Sequence, residues 1–260
     1  IAALKALQIE KDPILLILSS DHEIKDNNKF LRAINLGIKH ALEGYLITFG
    51  VIPSSPETGF GYIKSHEILS KNELKALKIE EFIEKPDQKR AAKFLQDDRF
   101  TWNSGMFLFK ASEILKEIEK FSPQIITSCK ESIENDLFDL DFQRIDKKSF
   151  SKCPNLSIDV AVMENTKKGL VIPLDAGWSD LGSWRDLWKI SNKDDLGNTI
   201  QGNVLVKETS NCYLRGEHRL IAAIGLKNLI IVETKDAILI VDQSRSQEVK
   251  TIVNDLKEQN

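Results

Sequence analysis

Two apolar segments flank an amphipathic one near the start of the chain, and this order strongly restricts the fold. The continuous apolar run from Ile14 to Leu18 lies between a proline and Ser19-Ser20-Asp21, which predicts a strand buried on both faces, as in parallel sheets. Residues 28–43 carry apolar side chains at helical spacing, and residues 45–51 predict a second strand. This strand–helix–strand order favours a doubly wound α/β sheet, in which ligands bind beyond the carboxyl ends of the strands.

The composition is that of a globular protein without a strong electrostatic field. Of 260 residues, 42% are hydrophobic and 29% are charged, and the formal net charge is −3. This net charge gives the protein no overall attraction for nucleic acid or an anionic membrane. No apolar run approaches the roughly 18 residues of a membrane span. We therefore expect neither nucleic acid nor membrane as a partner, and any anionic substrate must be held by a few placed groups.

The cysteines indicate a reducing compartment. Cys129, Cys153 and Cys212 are odd in number, widely spaced and not arranged as CxxC or Cys/His pairs. We expect a cytoplasmic protein without structural zinc or disulfides.

The pattern changes after about residue 195, where helical spacing gives way to short β-type runs separated by turn residues. We place a boundary at Asp194-Asp195. It divides an α/β domain, 1–195, from a small β-rich domain, 196–260, whose closing helix runs from Ser246 to Glu258.

The sequence Phe82-Ile83-Glu84-Lys85-Pro86-Asp87 predicts a strand end that presents a carboxylate and an ammonium together. Pro86 stiffens the exit, and Lys85 suits a phosphate group as a point charge. The alternative is an ordinary charged turn.

Two aspartates follow predicted strands. Asp21 and Asp180 suit Mg²⁺, which takes one or two protein carboxylates together with substrate phosphates. Turn or helix capping explains each of them equally well when it is taken alone.

A sugar site is suggested by two further positions. Asn103 offers an amide beside Gly105, and Gly61 lets backbone approach a ligand. The alternatives are the polar start of an aromatic core strand and a plain flexible turn.

These motifs, in this order, resemble those of the nucleotide-sugar pyrophosphorylases, and most closely the bacterial mannose-1-phosphate guanylyltransferases. The matching stretches are Ser20–His22, Thr48–Pro53, Pro56–Ile63, Phe82–Asp87, Trp102–Phe109, Ser157–Glu164 and Trp178–Trp184. The resemblance implies a Rossmann-like nucleotidyltransferase domain with a GT-A-like mixed sheet, followed by a small β-helix-like domain.

The resemblance also implies a reaction. The phosphate of mannose 1-phosphate attacks the α-phosphorus of GTP, with Mg²⁺ as cofactor, and yields pyrophosphate and GDP-mannose for polysaccharide biosynthesis. The implied catalytic residues are Asp21, Lys85 and Asp180, of which the two aspartates are the metal ligands. The implied substrate-binding residues are Gly61, Glu84, Lys85, Asn103 and Asp159.

One part of the family pattern is missing. The Gly-rich loop and the base-recognition segment that open such proteins do not occur in the chain, which begins Ile1-Ala2-Ala3. We therefore expect an N-terminally truncated sequence that is inactive as it stands.

Several readings remain open. Within the class, the alternative is a thymidylyl- or uridylyltransferase for another hexose phosphate. Outside it, the alternatives are a non-catalytic subunit that binds nucleotide sugar and a fragment of a broken gene. The apolar β runs of the tail suit either a homodimer interface or burial against the larger domain.

Overall fold

The computed structural model describes residues 1–70, 73–134 and 137–258. The helices are α1 Ala2–Ile9, α2 Asn27–Leu42, α3 Gln88–Phe94, α4 Ala111–Phe121, α5 Pro123–Glu134, α6 Lys147–Phe150, α7 Trp184–Ile190 and α8 Val249–Glu258. The strands are β1 Ile14–Ile17, β2 Glu23–Ile24, β3 Leu46–Val51, β4 Tyr62–Ser65, β5 Leu77–Ile83, β6 Phe100–Lys110, β7 Leu137–Asp139, β8 Phe142–Arg144, β9 Gly169–Leu174, β10 Trp178–Ser179, β11 Thr199–Lys207, β12 Tyr213–Ile224, β13 Leu229–Glu233 and β14 Ile238–Asp242.

The chain forms two compact units. The first comprises Ile1–Ser20 and Ile24–Trp178, and the second comprises Asp21–Glu23 and Ser179–Asn260. None of the described helices combines the length and the apolarity needed to cross a membrane.

A six-stranded mixed sheet organises the first unit, in the order β1-β6-β3-β9-β5-β4. Strand β4 also pairs with β6, so β6, β3, β9, β5 and β4 close a ring. Among the described pairs of this sheet, β3 and β9 are parallel and the others are antiparallel. The mixed sheet implied by the resemblance is confirmed.

The position predicted for the first strand, buried on both faces of a parallel sheet, is wrong. Strand β1 pairs antiparallel with β6, which lies between β1 and β3. It is an edge strand in the described sheet, and Leu16 and Ile17 are each 37% exposed. A continuous apolar run cannot distinguish a strand with two neighbours from one with a single neighbour.

Layers of helix cover both faces of this sheet. On one face, Phe30 and Ala33 of α2 pack against Ile47, Phe49 and neighbouring apolar side chains of the sheet. On the other, Ala111 and Ile114 of α4 pack against Leu46, Phe107 and Val171. Successive residues of β3 thus point to opposite layers, which explains why nearly every residue of this strand is apolar.

The second unit is β-rich, with its sheet in the order β11-β12-β13-β14. Strands β11, β12 and β13 are parallel neighbours, with Tyr213 beside both Thr199 and Ile230. Such short connections between parallel strands are typical of a β-helix. The closing helix begins at Val249, after a 3₁₀ turn over Gln243–Glu248.

Candidate functional site

Glu84 and Lys85 directly follow the last residue of β5, as the sequence predicted. Lys85 adopts a φ of 42°, a left-handed conformation that costs a residue with a side chain some strain. Its Nζ lies 3.1 Å from Oε1 of Glu84, and the two side chains are 64% and 36% exposed. The turn therefore presents a cation and an anion side by side to the solvent.

Gly61 brings Glu84 next to Asn103. Its carbonyl accepts a 2.8 Å hydrogen bond from the backbone nitrogen of Asn103. A Cβ at Gly61 would lie 2.8 Å from Oε2 of Glu84 and 3.4 Å from Cβ of Asn103. The lack of a side chain at Gly61 therefore leaves room for the Glu84 carboxylate, and the approach of this backbone to a ligand stays a prediction.

Asn103 lies inside the eleven-residue strand β6 rather than at its start. Asn103 lies beside a β-bulge, where the regular pairing of β6 with β3 is interrupted. Thr48 pairs with Phe107 and Gly50 pairs with Asn103, so Phe49 faces the three residues 104–106. Gly105 in this bulge has a φ of 69°, which glycine adopts without strain. Bulges of this kind re-aim side chains, often beside active sites.

The side-chain amide of Asn103 has a fixed orientation. Its Oδ1 accepts hydrogen bonds from the backbone nitrogen of Gly105 at 3.1 Å and from the Thr48 hydroxyl at 3.4 Å. Its Nδ2 donates to Oδ1 of Asp159 at 3.0 Å. If the amide were flipped, its NH₂ group would face the N–H of Gly105, and neither group could accept. The hydrogen bonds therefore identify which side-chain atom of Asn103 is the oxygen and which is the nitrogen.

Asp159 is a half-buried carboxylate at the start of a single-turn π-helix, Asp159–Met163. Burial raises the pKa of Asp159 above its usual value. The hydrogen bond from Asn103 opposes that rise, and the charge of Glu84 adds to it. Glu84 and Asp159 are therefore close enough to repel each other. Together with Gly61, Lys85 and Asn103 they form what we call the carboxylate cluster.

The other two predicted residues belong to the second unit. Asp21 is exposed and follows β1 by four residues. Asp180 follows β10, and its Oδ1 accepts a 3.2 Å hydrogen bond from the backbone nitrogen of Gly182. Burial raises the pKa of Asp180, and the charge of Asp186 raises it further, whereas His22 lowers it. Ser183 takes the helix-capping role, since its hydroxyl accepts from the backbone nitrogen of Asp186.

These aspartates offer the oxygen ligands that Mg²⁺ prefers. A Cβ at Gly182 would lie 2.6 Å from Oδ2 of Asp180, so a glycine keeps this oxygen clear. In the described ranges, no three His, Cys, Asp or Glu side chains are grouped to hold a metal ion. Asp21 and Asp180 supply two carboxylates, the number that Mg²⁺ takes from a protein when substrate phosphates and water complete its coordination.

Comparison with known proteins identifies the family. The family model described as "Nucleotidyl transferase" matches residues 1–196, which is most of the chain. The chain belongs to the nucleotidyl transferase family. A second model, "MannoseP isomerase/GMP-like beta-helix domain", matches residues 202–256. The nucleotidyl transferase fold and the β-helix-like tail implied by the resemblance are thereby confirmed.

Relatives of this nucleotidyl transferase carry more specific names. Proteins named mannose-1-phosphate guanylyltransferase are 46% identical in Salmonella montevideo and 42% identical in Escherichia coli, over 100% and 99% of the chain. The chain covers 55% of each, so it spans about half the length of these curated relatives.

A solved structure supports the fold. The structure described as a mannose-1-phosphate geranyltransferase from Thermus thermophilus has a TM-score of 0.82 and 24% identity. It covers 98% of this chain, and 73% of its own length is matched.

Proposed function

We propose that the protein transfers GMP from GTP to mannose 1-phosphate. An oxygen of the sugar phosphate attacks the α-phosphorus of GTP, the bond from that phosphorus to the bridging oxygen breaks, and pyrophosphate leaves with GDP-mannose formed. The observation that carries the proposal is the carboxylate cluster, which sets acceptors for hydroxyl groups beside a cation for phosphate.

The cluster suits a sugar phosphate because of what its atoms can accept and donate. Ionised Glu84 and Asp159 only accept hydrogen bonds, so they select groups that donate, such as sugar hydroxyls. Lys85 lies next to Glu84 and supplies a positive charge. A hydroxyl-bearing ring with a phosphate at one end satisfies both requirements.

Protein side chains have little covalent chemistry to perform in such a transfer, which depends on positioning and on neutralising charge. We propose that Asp21 and Asp180 hold Mg²⁺, which when bound stabilises the negative charge of the transferring phosphates. Lys85 orients the attacking phosphate.

The assay is pyrophosphate release from GTP, UTP or dTTP with mannose 1-phosphate and Mg²⁺, using purified protein that carries this chain. Release with GTP supports the proposal. A preference for UTP or dTTP supports a uridylyl- or thymidylyltransferase instead. Saturable GDP-mannose binding without release in all three assays supports the non-catalytic binding subunit.

Glu84→Gln tests the cluster itself, with Glu81→Gln as its control, because Glu81 is an exposed glutamate in β5, three residues before Glu84. We expect KM for mannose 1-phosphate to rise about tenfold or more in the first variant, the scale of a lost hydrogen bond to a charged group. Equal KM values in the two variants would contradict the assignment.

Asp180→Asn tests the metal site through a readout other than turnover. Wild type should show a rise in thermal midpoint with added Mg²⁺ and GTP that the variant lacks.

We also propose a cytoplasmic location, because Cys129, Cys153 and Cys212 are free thiols.

A further inference from the structure

The bulge in β6 removes residues 104–106 from regular pairing with β3, and side chains hydrogen-bond the backbone there: Asn103 at Gly105, and Ser104 and Thr48 at Met106. Ser104 is 2% exposed, and its hydroxyl donates to the carbonyl of Phe49 at 2.6 Å. The same oxygen accepts from the backbone nitrogen of Met106 at 3.2 Å. Ser104 thereby ties both sides of the bulge together.

Thr48 makes the second connection. It is fully buried in a strand whose other side chains are apolar, where valine would fill the same space. Its hydroxyl lies 3.2 Å from the carbonyl oxygen of Met106 and 3.4 Å from Oδ1 of Asn103. One proton is shared between these two acceptors, so Thr48 links the bulge to the amide that contacts Asp159.

We propose that Thr48 and Ser104 are positioning residues of the sugar site, which hold the bulge so that Asn103 orients the carboxylate of Asp159. This inference rests on the proposed function. It adds to the sugar site two buried residues that do not contact the substrate themselves. Asn103 acts on Asp159 through its Nδ2, while its Oδ1 is held by the Gly105 nitrogen and the Thr48 hydroxyl.

The test compares Thr48→Val, which removes the hydroxyl and keeps the shape, with Thr101→Val. Thr101 is the matched control because it is also fully buried, lies in β6, and its hydroxyl has no hydrogen-bond partner among the described residues. Thr48→Ser should restore what Thr48→Val loses. Ser104→Ala provides a second, independent disruption of the bulge.

We expect Thr48→Val to raise KM for mannose 1-phosphate about three- to tenfold, with KM for GTP unchanged. Its thermal midpoint should fall below that of Thr101→Val, because Thr48→Val removes a hydrogen bond to the Met106 carbonyl whereas Thr101→Val removes a hydroxyl without a partner among the described residues. Thr48→Ser should return KM to within about twofold of wild type. An unchanged KM in Thr48→Val, or an equal rise in Thr101→Val, would overturn the positioning role.

A spectroscopic readout separates this inference from the proposed function. In ¹⁵N-labelled protein, the side-chain NH₂ signals of Asn103, assigned from their absence in Asn103→Asp, should shift in Thr48→Val and Ser104→Ala but not in Thr101→Val. If wild type shows no mannose 1-phosphate dependence, the proposed function fails, and the NH₂ signals still decide whether Thr48 positions Asn103. Unshifted signals in both variants would refute it.

Discussion

The side-chain nitrogen of Asn103 donates a 3.0 Å hydrogen bond to the carboxylate of Asp159, across 56 residues of sequence. The side chains that hydrogen-bond this half-buried carboxylate, Asn103 and Ser157, are neutral, and the nearby charge of Glu84 repels it. The site therefore keeps a negative charge that the fold itself does not favour, which is typical of residues retained for binding.

Asp159→Asn should stabilise the protein at neutral pH and weaken its function. Burial raises the pKa of Asp159 above 3.8, so the folded state holds this proton more tightly than the unfolded state, and ionisation opposes folding. We expect the variant to gain about 0.5–1 kcal/mol in unfolding free energy at pH 7.5. The gain should shrink as the pH falls through the raised pKa. Urea denaturation between pH 4 and 8 measures it, and a gain that grows on acidification would contradict this account.

Gly61→Ala should impair sugar binding with little loss of stability. The new Cβ would lie 2.8 Å from Oε2 of Glu84, at the far end of a flexible side chain that can swing away. Gly59→Ala is the control, since a Cβ there meets nothing within 4 Å. Calorimetric titration with mannose 1-phosphate should show about tenfold weaker binding for Gly61→Ala alone. Similar affinities in the two variants would mean that sugar binding does not depend on the position of the Glu84 carboxylate.

Lys85→Gly should separate stability from binding. Glycine adopts the φ of 42° without strain, so we expect an unfolding free energy equal to wild type or up to about 1 kcal/mol higher. Lys89→Gly, within α3, should instead lose about 0.5–1 kcal/mol. Mannose 1-phosphate should bind less tightly to the first variant and normally to the second. A destabilised Lys85→Gly would show that the lysine side chain holds the turn.

The ionised side chain of Asp12 should stabilise the first unit at pH values above the pKa of this carboxyl group. Its carboxylate accepts from the backbone nitrogen and hydroxyl of Ser112, each at 2.9 Å, and pairs with Lys110 at 2.8 Å. Burial raises the pKa of Asp12, but the hydrogen bonds from Lys110 and Ser112 outweigh burial and lower it below 3.8. We expect Asp12→Ala to cost about 1–2 kcal/mol at pH 7, as for a lost helix cap.

Because the folded pKa of Asp12 is depressed, its contribution is complete above the unfolded value of 3.8 and is lost as the pH falls through the lowered pKa. The difference between wild type and Asp12→Ala in urea denaturation should therefore close below pH 3.8. A difference that persists in acid would point to packing rather than charge.

The sequence predicted those parts of the site that are determined locally. Glu84 and Lys85 follow a strand because an apolar run ends at Ile83 and a proline comes two residues after Glu84.

The rest depends on pairing between distant segments. The sequence around Asn103 does not indicate that Phe49 faces three residues of β6. Nor does it indicate that Asp159 lies beside Asn103. Likewise, nothing in the run from Ile14 to Ile17 shows that β1 has β6 as its neighbour rather than β3. Gly105 inside an aromatic strand, and the hydroxyl of Thr48 in the apolar strand β3, are the sequence features from which the bulge could have been inferred.

The ring of β6, β3, β9, β5 and β4 bears on how the protein is made in the cell. Strand β9, which joins β3 to β5, is the last of the five to be translated. A nascent chain that ends before residue 169 carries the other four strands, with the sides of β3 and β5 that β9 will cover still open. Such edges attract other chains, so we expect the nascent chain to be prone to aggregation until β9 is in place.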